Sequence, residues 1–132
     1  MKLTNRSEYA LLALVYLART PEALAHAADI GASQGIPTKF LQQILFHLKN
    51  AHFVKSTKGK NGGYALARPA SKITIAEIVR LFEGAIAPTG SASKHFYEPS
   101  PSEKEKKILR LMKELRELAS QKLEHTYLSD LV

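Results

Sequence analysis

The sequence predicts a mainly α-helical fold with one small β-hairpin, followed by a long separate C-terminal helix. Three observations predict it. Between residues 36 and 50, apolar side chains recur at Phe40, Leu41, Ile44, Leu45 and Leu48, the three-and-four spacing of a helix with one buried face. Directly after it, Lys55-Ser56-Thr57-Lys58 and Tyr64-Ala65-Leu66-Ala67 flank Gly59-Lys60-Asn61-Gly62-Gly63, the pattern of a hairpin with a flexible tip. A second, longer amphipathic period then covers residues 103–125, after a stretch rich in proline and serine.

Taken in order, Thr4 suits a helix N-cap, with Ser7 and Glu8 in the first turn. That helix runs to about Arg19, and its middle is apolar nearly all round, which predicts a central buried element. Thr20-Pro21 ends it. A second helix spans roughly residues 25–33, and Gly35 with Ile36 turns the chain into the third. Pro37 suits that third helix's first turn, where its missing N–H would have had no partner. Three short helices with a tight second turn form a helix-turn-helix. With the hairpin added, the arrangement is a winged helix-turn-helix.

Past the hairpin, Arg68-Pro69 breaks the strand, and Ser71 or Thr74 caps a helix over residues 75–83 that Gly84 ends. Its inward residues are Ile75, Ile78, Val79 and Phe82. Residues 85–102 read as a loop or linker, interrupted by His95, Phe96 and Tyr97. That trio suits a local packing anchor first and an effector site second. Ser102 with Glu103–Glu105 opens the last helix, whose stripe is Ile108, Leu111, Met112, Leu115, Leu118, Ala119 and Leu123. Such a helix folds back on its own domain or pairs with its twin. The predicted organisation is a winged domain over 1–84, a linker or sensor loop over 85–102, and a dimerisation helix with tail over 103–132.

Charge narrows the partners. Residues 1–70 hold nine Lys and Arg against three acids, whereas residues 71–132 hold ten against nine. The cationic surface therefore belongs to the half with the third helix and hairpin, which favours a polyanionic partner for that half; with that helix and hairpin, the expected partner is double-stranded DNA. The polar face of the third helix carries Thr38, Lys39, Gln42, Gln43 and Lys49, and no acid. In a major groove Gln can pair with adenine, and Lys with guanine or phosphate. A tip of Lys58, Gly59, Lys60 and Asn61 lays cations on phosphates or into a minor groove, and its glycines let the backbone come close. An anionic membrane would need an apolar face exposed to lipid, and the apolar faces here are committed to a core.

Other classes are excluded by what the sequence lacks. With no cysteine there is no disulfide, thiolate metal site or cysteine nucleophile. The five histidines show no pair at metal-ligand spacing and none follows a nucleophile motif, so no enzyme is predicted. The glycine tip lacks the length and the Ser or Thr of a phosphate-binding loop. Lys2, Arg6 and the apolar run to Ala18 mimic a signal peptide, but Glu8 argues against one, so a cytoplasmic protein is expected.

Residues 2–84 closely resemble the Rrf-two (Rrf2) family of bacterial transcription regulators, which includes IscR, NsrR and CymR. The matching stretches are Lys2–Leu11, Ile36–Leu48 and above all Ser56–Leu66, which follows the family's basic-Gly-x-x-Gly-Gly-Tyr-x-Leu wing. The tail Thr126–Leu131 is similar to the family's usual Thr-Leu-x-x-Leu ending. The resemblance implies a homodimeric regulator that binds a palindromic operator, as repressor or activator, with the long helix as dimer interface. By position it implies that Thr38, Lys39, Phe40, Gln42 and Gln43 lie in or beside the major groove, that Lys58 enters the minor groove, and that Lys2, Thr4 and Arg6 touch phosphates.

The departures from that pattern carry information. Relatives that hold an iron–sulfur cluster use three cysteines in the loop before the dimer helix, and residues 85–102 have none. Glu8, near the place of an acidic ligand in some members, cannot hold a cluster without thiolates. No cofactor is expected. Gln42, where several members have glutamate, removes a cytosine-directed acceptor. Lys58 in the place of an arginine keeps the charge and loses the planar fork. For regulation, a small molecule, a partner protein or no effector stays open, with His95–Tyr97 the leading sensor segment. The rival to a DNA-binding regulator is a protein-interaction module of the same fold.

Overall fold

The structure is a computed structural model that describes residues 2–132. It holds five α-helices and one hairpin, with two compact units formed by residues 3–73 with 127–132, and by residues 74–126 with Lys2. The expected boundary at residue 84 thus falls inside the second unit, and the tail, grouped from sequence with the last helix, joins the first.

In the first unit, α1 (Asn5–Arg19) packs against α2 (Ala27–Gln34) and α3 (Thr38–Asn50). The near-continuous apolar run of α1 is what a central helix needs: Ala10, Ala13, Leu14 and Leu17 are fully buried. Gln34 reaches across from α2, its side-chain amide donating to the Leu12 carbonyl at 3.0 Å. Gly35 ends α2 with φ of 68°, a left-handed cap that glycine adopts at little cost. The tight turn into α3 follows directly. On α3, Leu41, Ile44, Leu45 and Leu48 are buried, each stabilising the fold by roughly 1.5–3 kcal/mol. Phe40, which the period counted among them, is 54% exposed and lies 6.5 Å from the Tyr9 ring. It sits at the edge of the stripe, where the first turn of α3 turns outward.

The hairpin pairs β1 (Val54–Thr57) with β2 (Gly63–Leu66), antiparallel, in the register Val54 to Leu66 and Thr57 to Gly63. Two glycines shape its base. A side chain at Gly62 would overlap the Thr57 carbonyl, so the tip can close only without one. Gly63 has φ of 151°, and a Cβ there would come within 2.8 Å of the Ala25 carbonyl. That closeness lets Tyr64 N–H donate to Ala25 O at 2.7 Å and Ala25 N–H donate back at 2.9 Å, pinning β2 beside the chain ahead of α2. The Arg68 guanidinium lies 4.2 Å over the Phe53 ring at the far end. The tail returns to this unit: Leu128 is fully buried, and its N–H donates to Ile73 O at 2.8 Å.

In the second unit, α4 (Ile75–Glu83) starts with a full capping box. Thr74 Oγ1 accepts from the Glu77 N–H at 3.2 Å, and Glu77 Oε2 accepts from the Thr74 N–H at 2.9 Å, a pairing worth about 1 kcal/mol. The last helix, α5, spans Lys106–Glu124. It starts later than Ser102–Glu105 suggested, because Pro101–Lys104 winds as a 3₁₀ turn, the tighter form proline tolerates at its start. The stretch 85–102 is more than a linker: Ser91 and Ala92 are buried, and Arg116 of α5 donates to the Ala92 carbonyl at 3.0 Å. Arg80 of α4 pairs with Glu124 of α5 and holds that carboxyl below the usual carboxylate range. Both partners are partly exposed, so the pair fixes position more than it stabilises.

Candidate nucleic-acid interface

The outward face of α3 is set by the face it buries. With Leu41, Ile44, Leu45 and Leu48 inside, the 3.6-residue period leaves Lys39, Gln42, Gln43, Phe46 and His47 on the other side. These five line one shallow cleft, and all are exposed. No acidic residue lies anywhere on α3. Thr38, the first helical residue, and Phe40 are exposed in the opening turn. A helix face of this kind presents amide and ammonium donors with no carboxylate to repel phosphate.

The wing supplies the second part. Lys58, Gly59, Lys60 and Asn61 form the exposed hairpin tip, closed by the Gly62 N–H donating to Gly59 O at 3.0 Å. Gly59 has φ of 105°, a conformation open to glycine, and nothing lies within 4 Å of where its Cβ would stand. The backbone there can approach another molecule closely. Thr4 and Arg6, at the start of α1, are exposed and belong to the same unit as α3 and the wing. Lys2 is exposed but falls outside that unit. Glu8, at the first turn of α1, is exposed.

Phe46 was missed from sequence as a member of this face, although the spacing 39, 42, 43, 46 and 47 carried the signal. Phe46 is 60% exposed, and its ring meets His47 edge-on with centroids 5.9 Å apart.

The structure divides the stripe predicted on α5. Ile108, Leu111 and Leu118 are 45%, 50% and 70% exposed, while Met112, Leu115, Ala119 and Leu123 are half-buried. Across its 19 residues α5 buries none fully. Arg116 and Glu124 mark the side turned to the loop and to α4. The effector trio also separates. His95 and Phe96 line a small cleft with Arg80, Ser93, Lys94 and Arg116, whereas Tyr97 lies apart and donates to the Glu103 carboxylate at 2.7 Å. That bond holds the Tyr97 hydroxyl above its ordinary pKa. Among the described residues no group of three or more His, Cys, Asp or Glu could hold a metal ion. No helix among them is long and apolar enough to cross a membrane.

Comparison with known proteins adds the lineage. Residues 3–132 match the family model Rrf2, described as iron-dependent transcriptional regulator. A Mycobacterium tuberculosis protein that carries the name of an HTH-type transcriptional regulator is 40% identical over 88 residues, covering 66% of this chain and 55% of that one. The chain thus spans about half the length of the curated relatives it matches. CymR, the global cysteine regulator of B. subtilis, superposes with a TM-score of 0.78 at 28% identity, covering 99% of this chain and 95% of that one. IscR of T. potens superposes with a TM-score of 0.70 at 26% identity, covering 99% and 85%. The family's description invokes iron; this chain has no cysteine to supply the thiolates of an iron–sulfur cluster. The winged helix-turn-helix, its glycine wing and the match over almost the whole sequence make this chain a cysteine-free member of the Rrf2 family of transcriptional regulators.

Proposed function

We propose that the chain is a sequence-specific DNA-binding regulator that acts in the cytoplasm as a homodimer on a palindromic operator, as a repressor. The observation that carries this reading is the acid-free outward face of α3, with Lys39, Gln42 and Gln43, in one compact unit with the basic wing tip. Gln42 and Gln43 read base edges, with adenine the preferred partner of a Gln amide, while Lys39 takes guanine or phosphate. Lys58, Lys60 and Asn61 at the wing, with Thr4 and Arg6, take phosphates and set the register.

Dimerisation is supported by α5. A helix in a globular protein is held mainly by burying one face, and here Ile108, Leu111 and Leu118 stand in solvent on a single chain. A second copy of the helix covers them. Two winged domains then read two half-sites about a twofold axis, and occupancy of such a site over a promoter blocks transcription. The proposal includes no iron–sulfur cluster. The loop around His95 and Phe96, in its cleft with Arg80 and Arg116, is the segment proposed to sense a small molecule or partner protein.

The test is a footprint. Genomic fragments of the source organism, enriched by the pure protein, are digested with the protein bound. The expected result is a protected site with two inverted half-sites whose centres lie one helical turn, or a multiple of it, apart. Enrichment of unrelated fragments with no common protected sequence would overturn the proposal.

A further inference from the structure

Phe46 is the residue of α3 that neither the fold nor the reading above uses. A phenylalanine left largely in water forgoes roughly 1.5–3 kcal/mol of burial, and Phe46 is 60% exposed in the middle of a polar face. Among the described residues its ring meets that of His47, on the same helix. It shares a cleft with Lys39, Gln42, Gln43 and His47, a surface with cationic and amide groups and no carboxylate. An apolar ring set among such groups matches one feature of a major groove, the C5-methyl of thymine.

We infer that Phe46 is a specificity-determining residue that reads a thymine methyl in each half-site. The inference rests on the proposed DNA-binding role of α3. With α3 lying along the groove, helix geometry limits where that thymine lies. With about 1.5 Å of rise per residue, Phe46 stands about 4.5 Å along the axis from Gln43 and about 6 Å from Gln42. At about 3.4 Å per base pair, the methyl belongs one or two base pairs from the adenines that the glutamines pair with.

The experiment replaces each thymine of the selected site in turn by deoxyuridine, which removes only the methyl, and compares wild type with Phe46→Ala and Phe46→Leu. Because the side chain is exposed, both substitutions leave the core of α3 intact. Wild type is expected to lose about fourfold in affinity per half-site at one thymine position, the effect of one methyl taken from apolar contact. Phe46→Ala is expected to bind the thymine and uracil duplexes equally, with its salt dependence unchanged, and Phe46→Leu to keep part of the preference. Equal binding of thymine and uracil by wild type at every position would overturn the inference. So would a Phe46→Ala variant that keeps the full preference, as a protein partner at Phe46 would require, or one that weakens both duplexes alike, as a sugar–phosphate contact would require. A normal salt slope in those cases shows that the DNA-binding reading stands while this inference falls.

Discussion

In the proposed homodimer, replacing Leu111 and Leu118 by aspartate should separate the two copies into monomers that no longer hold the proposed operator. Both side chains are at least half exposed on the single chain, so the substitutions take little from its own core. In an isologous helix pair each new carboxylate faces the apolar surface or the carboxylate of its mate, and a charge buried there is costly. The monomer would contact one half-site. Operator affinity should then fall toward the non-specific level, a loss of about a thousandfold. Light scattering at micromolar concentration and binding to the selected fragment check the two parts. Retention of the dimer mass by the variant, or a monomer mass for wild type, would place the interface elsewhere or remove it.

Replacing Lys58 and Lys60 together by alanine should weaken binding to every duplex, selected or scrambled. Each lysine that neutralises a phosphate releases condensed counterions, so removing two should make the slope of log affinity against log salt shallower by about two. Near physiological salt the same release corresponds to a loss of about thirtyfold. The tip is exposed and its closure depends on Gly59 and Gly62, so the hairpin should persist in the variant. An unchanged slope would mean that the wing does not touch DNA, and would favour an interaction module that shares the fold.

Much of the first unit was legible because its signals are local. The four buried positions of α3 recur at helical spacing, and the glycine tip is written in consecutive residues. Phe40 was not, since a residue at the margin of a helical stripe faces in or out according to its neighbours, here Tyr9. The stretch 85–102 has the composition of a linker. Ser91 and Ala92 are nevertheless buried, and Arg116, more than twenty residues later, donates to the Ala92 carbonyl, a contact no local pattern announces. The return of Leu128 beside Ile73 is non-local in the same way. Phe46 was visible in the period, but a lone aromatic among polar residues carries meaning only once its exposure is known.

Whether the α3 face and wing read sequence is decided by a ratio. Affinity for the selected site and for a scrambled duplex of equal length is measured across a series of salt concentrations. The selected site should be bound about a thousandfold or more tightly at physiological salt, with both affinities falling steeply as salt rises. A ratio near one across the series would contradict this, because phosphate attraction alone would then account for all the binding.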